Sequence, residues 1–296
     1  MTKLRATKSA RAEHFCATDC EGGTRTLQDV IAASRAAVQT VRRTAVVQAN
    51  EAAMLMSTVA MAPLRLLGGG YDTATSSSLD AKALTAPTTR PVLLVHGFAG
   101  TKSSWALVAD TLKARGVAVE AMSYPPVGTS VQQLAERLVA EVERILAVTG
   151  ADKVHLVGHS LGGVVIGQAI ADRRLTGRVD TVITLGSPFG GSPWAGVLPF
   201  LEIVRELRAG SPLLSRLAST PLPDGVRWLS LTAALDVIVP GARAVRSHPQ
   251  AETITFEGVG HLGMLVSRQV IGCIAAELCT QETADAGRMP VLQSVS

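Results

Sequence analysis

Short, unbroken apolar runs alternate with helical stretches along most of this 296-residue chain, and that alternation restricts the fold more than any other feature. The runs lie in "PVLLVHG" (Pro91 to Gly97), "VAVEAMSY" (Val117 to Tyr124), "KVHLVGHS" (Lys153 to Ser160), "VDTVITLGS" (Val179 to Ser187), "VRWLSLTAALD" (Val226 to Asp236) and "ETITFEG" (Glu252 to Gly258). Between them fall helical patterns at Ser104–Arg115, at Leu161–Asp172 and from Gly263 to about Leu278. Another helix opens on a capping box of Ser130 and Gln133, with Val131, Leu134, Leu138, Val142 and Ile145 on one stripe. Strands that alternate with helices imply a mostly parallel central sheet covered on both faces, an α/β architecture. In such sheets reactive groups gather beyond the carboxyl ends of the strands.

Composition agrees with a packed core. Apolar residues make up 47% and charged residues 18%, with a mean hydropathy of +0.28, which argues against disorder as a whole. The net charge of +4 sits on residues 1–50, where eight Lys/Arg face four Asp/Glu, and the remainder balances. Scattered charges of this kind read as a solvated helical face, although an anionic membrane surface could attract them. No nucleic-acid partner is expected.

The first 67 residues form an N-terminal helical segment, with Leu27, Val30, Ile31, Val38 and Val41 at helical spacing. Residues 68–90 are rich in Gly, Ser, Thr and Ala and read as a linker. Residues 91–280 carry the α/β domain, and 281–296 read as a flexible tail. The apolar stretch "AAMLMSTVAMAPL" (Ala52 to Leu64) is too short to span a bilayer. Gln48, Asn50 and Glu51 interrupt what otherwise imitates a twin-arginine signal. The compartment stays open, with cytoplasm or a peripheral membrane site ahead of secretion. Cys16, Cys20, Cys273 and Cys279 lack zinc-ligand spacing and read as thiols. No Walker loop, dinucleotide fingerprint or metal-ligand cluster is present, so no cofactor and no metal are expected.

The polar interruption in "VHLVGHSLGGVVIG" (Val154 to Gly167) carries the chemistry. A lone G-x-S-x-G is a weak signal, but here Gly158 ends a strand and Gly162 opens a helix. That is the strand–turn–helix setting of a nucleophile elbow, whose small neighbours let the strand and helix close on a strained serine. Ser160 is therefore the candidate nucleophile. A serine hydroxyl needs a base to take its proton and a carboxylate to orient that base, which follow it in the order acid, then histidine.

His261, in "FEGVGHLGM", follows the last strand, whereas His248 precedes it, so His261 is the candidate base. Asp236 ends the strand "WLSLTAALD" and is the candidate acid. Asp180 and Asp224 stand before strands, and Glu257 falls within one. Backbone N–H groups of Leu161 and of Phe98, in "VHGFAG", are the candidate oxyanion donors. His96, His155 and His159 read as structural. No candidate catalytic group lies before Pro91, so residues 1–90 are expected to be dispensable for short-ester activity.

"LVHGFAGTKSSW", "HLVGHSLGG", "TLGSPFGGS", "DVIVP" and "GVGHLGM" occur in order and together resemble a bacterial, actinobacterial-type triacylglycerol lipase or esterase of the α/β-hydrolase superfamily. The resemblance covers about residues 91–280. It implies an α/β-hydrolase fold, with Ser160, Asp236 and His261 as catalytic triad and Phe98 and Leu161 as oxyanion donors. "ELRAGSPLLSRL" (Glu206 to Leu217) resembles the helical lid of these lipases, within a lid segment at about 190–224. Trp194, Leu198, Phe200, Leu201 and Ile203 would meet lipid when such a lid opens. The implied activity is hydrolysis of acylglycerol or other lipid esters. An acyltransferase or thioesterase with the same triad, and a non-catalytic lipid-binding protein, are the alternatives.

Overall fold

The computed structural model describes residues 90–125, 128–196 and 201–286, together with residues 44–51 and isolated positions between 28 and 53. The chain divides into two compact units, Met1–Arg42 and Arg43–Ser296, and all that follows concerns the second. The expected linker at 68–89, Leu198, Phe200, Cys16 and Cys20 lie outside the described residues. Among the described residues no helix is long and apolar enough to cross a membrane.

Six strands form one sheet, parallel throughout: β1 (Val92–Val95), β2 (Val119–Met122), β3 (Val154–His159), β4 (Val179–Leu185), β5 (Arg227–Ala233) and β6 (Ala251–Phe256), in the order β2-β1-β3-β4-β5-β6. The inner strands are buried along nearly all their length because helices cover both faces. In β1, Leu93 and Val95 belong to one core while Val92 and Leu94 belong to the other, as the two-residue period of a strand requires. Along β6, an edge strand, Glu252, Thr253 and Thr255 are exposed instead. Arg227 on β5 holds that edge through Glu252 at 2.8 Å and through Glu277.

On one face lie α2 (Val131–Thr149) and α3 (Leu161–Ala169); on the other lie α1 (Ala106–Lys113) and α6 (Arg268–Ala286). The capping box at the start of α2 forms as expected. Gln133 N–H donates to Ser130 Oγ at 3.3 Å, and Ser130 N–H donates to Gln133 Oε1 at 3.0 Å. Gly150, at φ 70°, ends the helix in the left-handed conformation. All five apolar residues of its predicted stripe are fully buried. The last helix runs to Ala286, into the segment expected to be a tail.

The lid segment is partly fastened down. Between β4 and β5 it contains a 3-10 turn (Pro193–Gly196), α4 (Glu202–Glu206) and α5 (Pro212–Ser219). Ile203, Leu213, Leu214 and Leu217 are buried in the core under α2 and α3. Glu206 Oε2 accepts from Val131 N–H at 2.8 Å, so α4 also caps α2. Ile203 is a core residue here, at 2% exposure, which is the packed position expected of it while the segment is closed. Trp194 is 46% exposed.

Among the described glycines the closest packing lies where α3 meets the sheet. A Cβ added to Gly162 would stand 2.1 Å from Val95 O, one on Gly163 2.0 Å from Ser187 Oγ, and one on Gly158 2.6 Å from Gly163 N. The obstacle at Gly162 is backbone, which has no rotamer to change. Gly162→Ala is thus expected to destabilise the fold by about 3 kcal/mol or more. A urea melt with a midpoint near that of the native chain would overturn this account.

Candidate active site

The glycines of "GHSLGG" allow α3 to begin immediately after β3, and the turn between them forces Ser160 to φ 53°, ψ −121°. A non-glycine residue with positive φ is strained, and here Ser160 N–H is tied back to Leu185 O at 2.8 Å. The backbone thus leaves β3 sharply and sets Ser160 at the carboxyl edge of the sheet, with Leu161 as the first helical residue. An N–H at that position has no intrahelical acceptor.

The loop after β1 approaches from the other side. A Cβ on Gly97 would lie 3.0 Å from Ser160 Cβ and 3.0 Å from His159 Nδ1. Gly100 N–H donates to Gly97 O at 3.0 Å, and Ala99 takes φ 56°. This tight turn brings the Phe98 peptide against the serine turn.

Asp236 and His261 meet beyond β5 and β6. Asp236 Oδ2 is 2.7 Å from His261 Nδ1, and both residues are buried. The other carboxylate oxygen accepts from Ile238 N–H at 2.9 Å and Val239 N–H at 2.7 Å. Those two bonds fix the carboxylate, and donation from Nδ1 leaves Nε2 of His261 as the free base. The two loops are also tied together: Ala234 N–H donates to Phe256 O at 2.9 Å, and Leu235 N–H to Val259 O at 3.0 Å. Gly186, at φ 54°, makes room for the pair, since a Cβ there would stand 3.0 Å from both Asp236 Oδ2 and His261 Nδ1.

Ser160 and His261 are linked through the residue before the serine. The His159 ring lies 4.7 Å from the His261 ring, and its Nε2 donates to His261 O at 3.1 Å. Among the described residues Ser160 Oγ makes no hydrogen bond to His261, a contact that commonly closes only around substrate.

The residues set aside in the sequence lie elsewhere. Asp180, at the amino end of β4, pairs with Arg90 at 3.0 Å and Lys153 at 3.8 Å. His248, before β6, accepts from Leu222 N–H at 3.3 Å. Asp224 is exposed. Glu257, expected within a strand, is an exposed residue just past β6. Cys273 is a half-buried free thiol. Glu51 was missed: its carboxylate binds the backbone that follows His261, a contact that reaches the site from before Pro91. No local motif marks it, because the contact spans 211 residues.

Three buried histidines resist protonation, His96 and His159 beside the site and His155 at the amino end of the sheet. Burial pushes His159 down to about 3, with the neighbouring His261 adding to the effect. Burial likewise lowers His96 to about 4, against a weaker opposing bond to Gly97 O. His155 falls to about 4 by burial, partly offset by Asp180. His96 stacks on Tyr124 at 4.0 Å, and Tyr124 donates to His96 O. Each imidazole is neutral when folded and protonated when unfolded below about pH 6.5. The unfolded chain therefore binds more protons between pH 6.5 and about 4, and stability must fall as pH falls through that range. Urea midpoints at pH 7.5, 6 and 4.5 should decline in order, and His155→Leu should reduce the proton uptake on unfolding by about one. Equal midpoints at pH 7.5 and 4.5 would contradict it.

Comparison with known proteins places this geometry in context. A family model described as alpha/beta hydrolase fold matches residues 90–232. The chain is 35% identical to a triacylglycerol lipase of Burkholderia plantarii over 145 residues, which cover 46% of this chain and 40% of that one. It is 36% identical to a triacylglycerol lipase of Pseudarthrobacter phenanthrenivorans over 118 residues, 37% of this chain and 36% of that one. The matched part thus spans about two fifths of the length of these curated relatives. In structure the chain is similar to the mature form of the Bacillus licheniformis lipase BlEst2, with a TM-score of 0.56 at 20% identity, covering 65% of this chain and 93% of that one.

Proposed function

We propose that this chain, which has the α/β-hydrolase fold, is a serine hydrolase of carboxylic esters that works through an acyl-enzyme on Ser160. The observation that carries the reading is the buried 2.7 Å contact between Asp236 and His261 at the same sheet edge as a serine held at positive φ.

The mechanism follows from those positions. His261 Nε2 takes the Ser160 proton as Oγ attacks the ester carbonyl, and Asp236 stabilises the imidazolium that forms. The carbonyl oxygen becomes an oxyanion, which the N–H groups of Phe98 and Leu161 receive. His261 then returns the proton to the departing alkoxide, leaving the acyl group on Ser160. Water, deprotonated by the same histidine, releases the acid and restores the serine. An acceptor alcohol in place of water would make the same site an acyltransferase, and the product ratio with and without added alcohol separates the two.

Ser160→Ala and His261→Ala should each lower kcat on a p-nitrophenyl ester by on the order of 10⁴-fold or more, and together by little more than either alone. Asp236→Asn should cost on the order of 10²- to 10⁴-fold, because the amide offers His261 a donor where an acceptor is needed. Glu257→Gln should leave the rate unchanged. A Ser160→Ala protein that turned over at the native rate, or a damaging Glu257→Gln, would refute the assignment.

For substrate we favour lipid esters. Two supports are the triacylglycerol lipase relatives and the apolar rim beside the acid loop. Trp194 and Val237 are exposed there, and Trp194 Nε1 donates to Val237 O at 2.9 Å, one residue from Asp236. An apolar rim at a site mouth lowers its free energy when it meets a lipid surface, by roughly 25 cal/mol per Å² removed from water. Rates on a medium-chain triglyceride should rise sharply as the substrate passes its solubility limit, and Trp194→Asp should blunt that rise. A smooth saturation curve, the same in both proteins, would leave an esterase for dissolved substrates.

A further inference from the structure

The helical segment 44–51 carries a carboxylate that the proposed mechanism does not use. Glu51 is 4% exposed. Its Oε2 accepts from Leu262 N–H at 2.9 Å and its Oε1 from Gly263 N–H at 2.7 Å. These are the two amides that follow His261, and they open the 3-10 turn Gly263–Leu265. N–H groups at the start of such a turn have no partner within it, and a carboxylate that receives two of them is fixed in place by charge-assisted bonds.

The loop is shaped to receive this side chain. A Cβ on Gly260 would lie 2.5 Å from Glu51 Cγ, and one on Gly263 would lie 3.2 Å from Glu51 Oε1. The carbonyl of the same His261–Leu262 peptide is held as well, since His159 Nε2 donates to His261 O at 3.1 Å. The peptide that follows the imidazole is therefore clamped at both of its polar groups, its carbonyl from β3 and its N–H from residue 51. The ring itself is held by Asp236.

We propose that Glu51 is a positioning residue for His261, so that the segment before the α/β domain completes the site. Glu51 touches no reacting atom. It sets the peptide plane from which the imidazole projects, and thereby the aim of Nε2 at Ser160. The inference rests on the hydrolase reading above. Displacement of a reacting group by an ångström can cost on the order of 10²-fold in rate while substrate binding is untouched.

The test uses the full chain with four changes: Glu51→Ala, Glu51→Gln, Gly260→Ala, and Glu51→Ala combined with Gly260→Ala. The readouts are kcat and KM on a short p-nitrophenyl ester, the rate of fluorophosphonate labelling at Ser160, and the thermal melt. Glu51→Ala should lower kcat and labelling by on the order of 10- to 100-fold with KM unchanged. Glu51→Gln, which keeps the volume but can accept from only one of the two amides, should fall between, and it carries the test if the alanine variant melts below the assay temperature.

Gly260→Ala should lower kcat in the native background, because its methyl group displaces Glu51. It should cost nothing further once Glu51 is alanine, since the obstacle has gone. Native kcat and labelling in Glu51→Ala, a loss confined to KM, or a Gly260→Ala effect that multiplies in the double variant would each overturn the proposal. A native chain that fluorophosphonate does not label at Ser160 would instead remove the hydrolase reading, and this inference with it.

Discussion

The contact between the first turn of α3 and the carbonyl oxygens of β1 sets the rest of the site. Gly162 lies so close to Val95 O that any side chain would collide with it, and Gly163 meets Ser187 in the same way. With α3 pressed onto the sheet at that distance, the chain leaving β3 has one residue in which to turn. That residue is Ser160, and its positive φ follows from the closeness of the helix. The strain is local, while the packing that sustains it is spread over the larger of the two apolar clusters among the described residues.

The remaining groups reach Ser160 because parallel strands end together. The loops after β1, β5 and β6 all open at one edge, and backbone bonds tie the last two to each other. Leu235 N–H to Val259 O joins the acid loop to the histidine loop, so the 2.7 Å contact of Asp236 with His261 follows from main-chain register. Preorganisation of this kind lets dipoles stabilise charge without first having to reorient. Buried neutral histidines extend it, since His159 can donate to His261 O without bringing a positive charge beside the base.

Much of this was legible in the sequence because the signals are local. Buried strands read as unbroken apolar runs, the Ser130–Gln133 box announced α2, and the glycines around Ser160 marked the turn. Strand polarity then sorted His261 from His248 and Asp236 from Asp180 and Asp224, since only one member of each set follows its strand. What escaped notice was what depends on three-dimensional company. Glu51 belongs to a segment whose composition suggests a solvated helix, and its partners are main-chain amides that have no sequence identity. At Ile203 the apolar periodicity is the same for a residue that covers a core and for one that covers a pocket. Only the position of α2 and α3 decides between them.

The excursion between β4 and β5 has a separate consequence. It leaves the sheet after Leu185 and returns at Arg227, and near the acid it is fastened through main-chain carbonyls: Ser192 Oγ donates to Ile238 O at 2.6 Å and Trp194 Nε1 to Val237 O. Carbonyl oxygens are common to every residue, so these fastenings survive changes of side chain in the acid loop. The segment can therefore vary in length and character under selection while the reacting groups keep their places. In a lineage of such proteins, substrate preference and chemistry would be inherited as separable traits, much as a tool keeps its handle when its bit is exchanged.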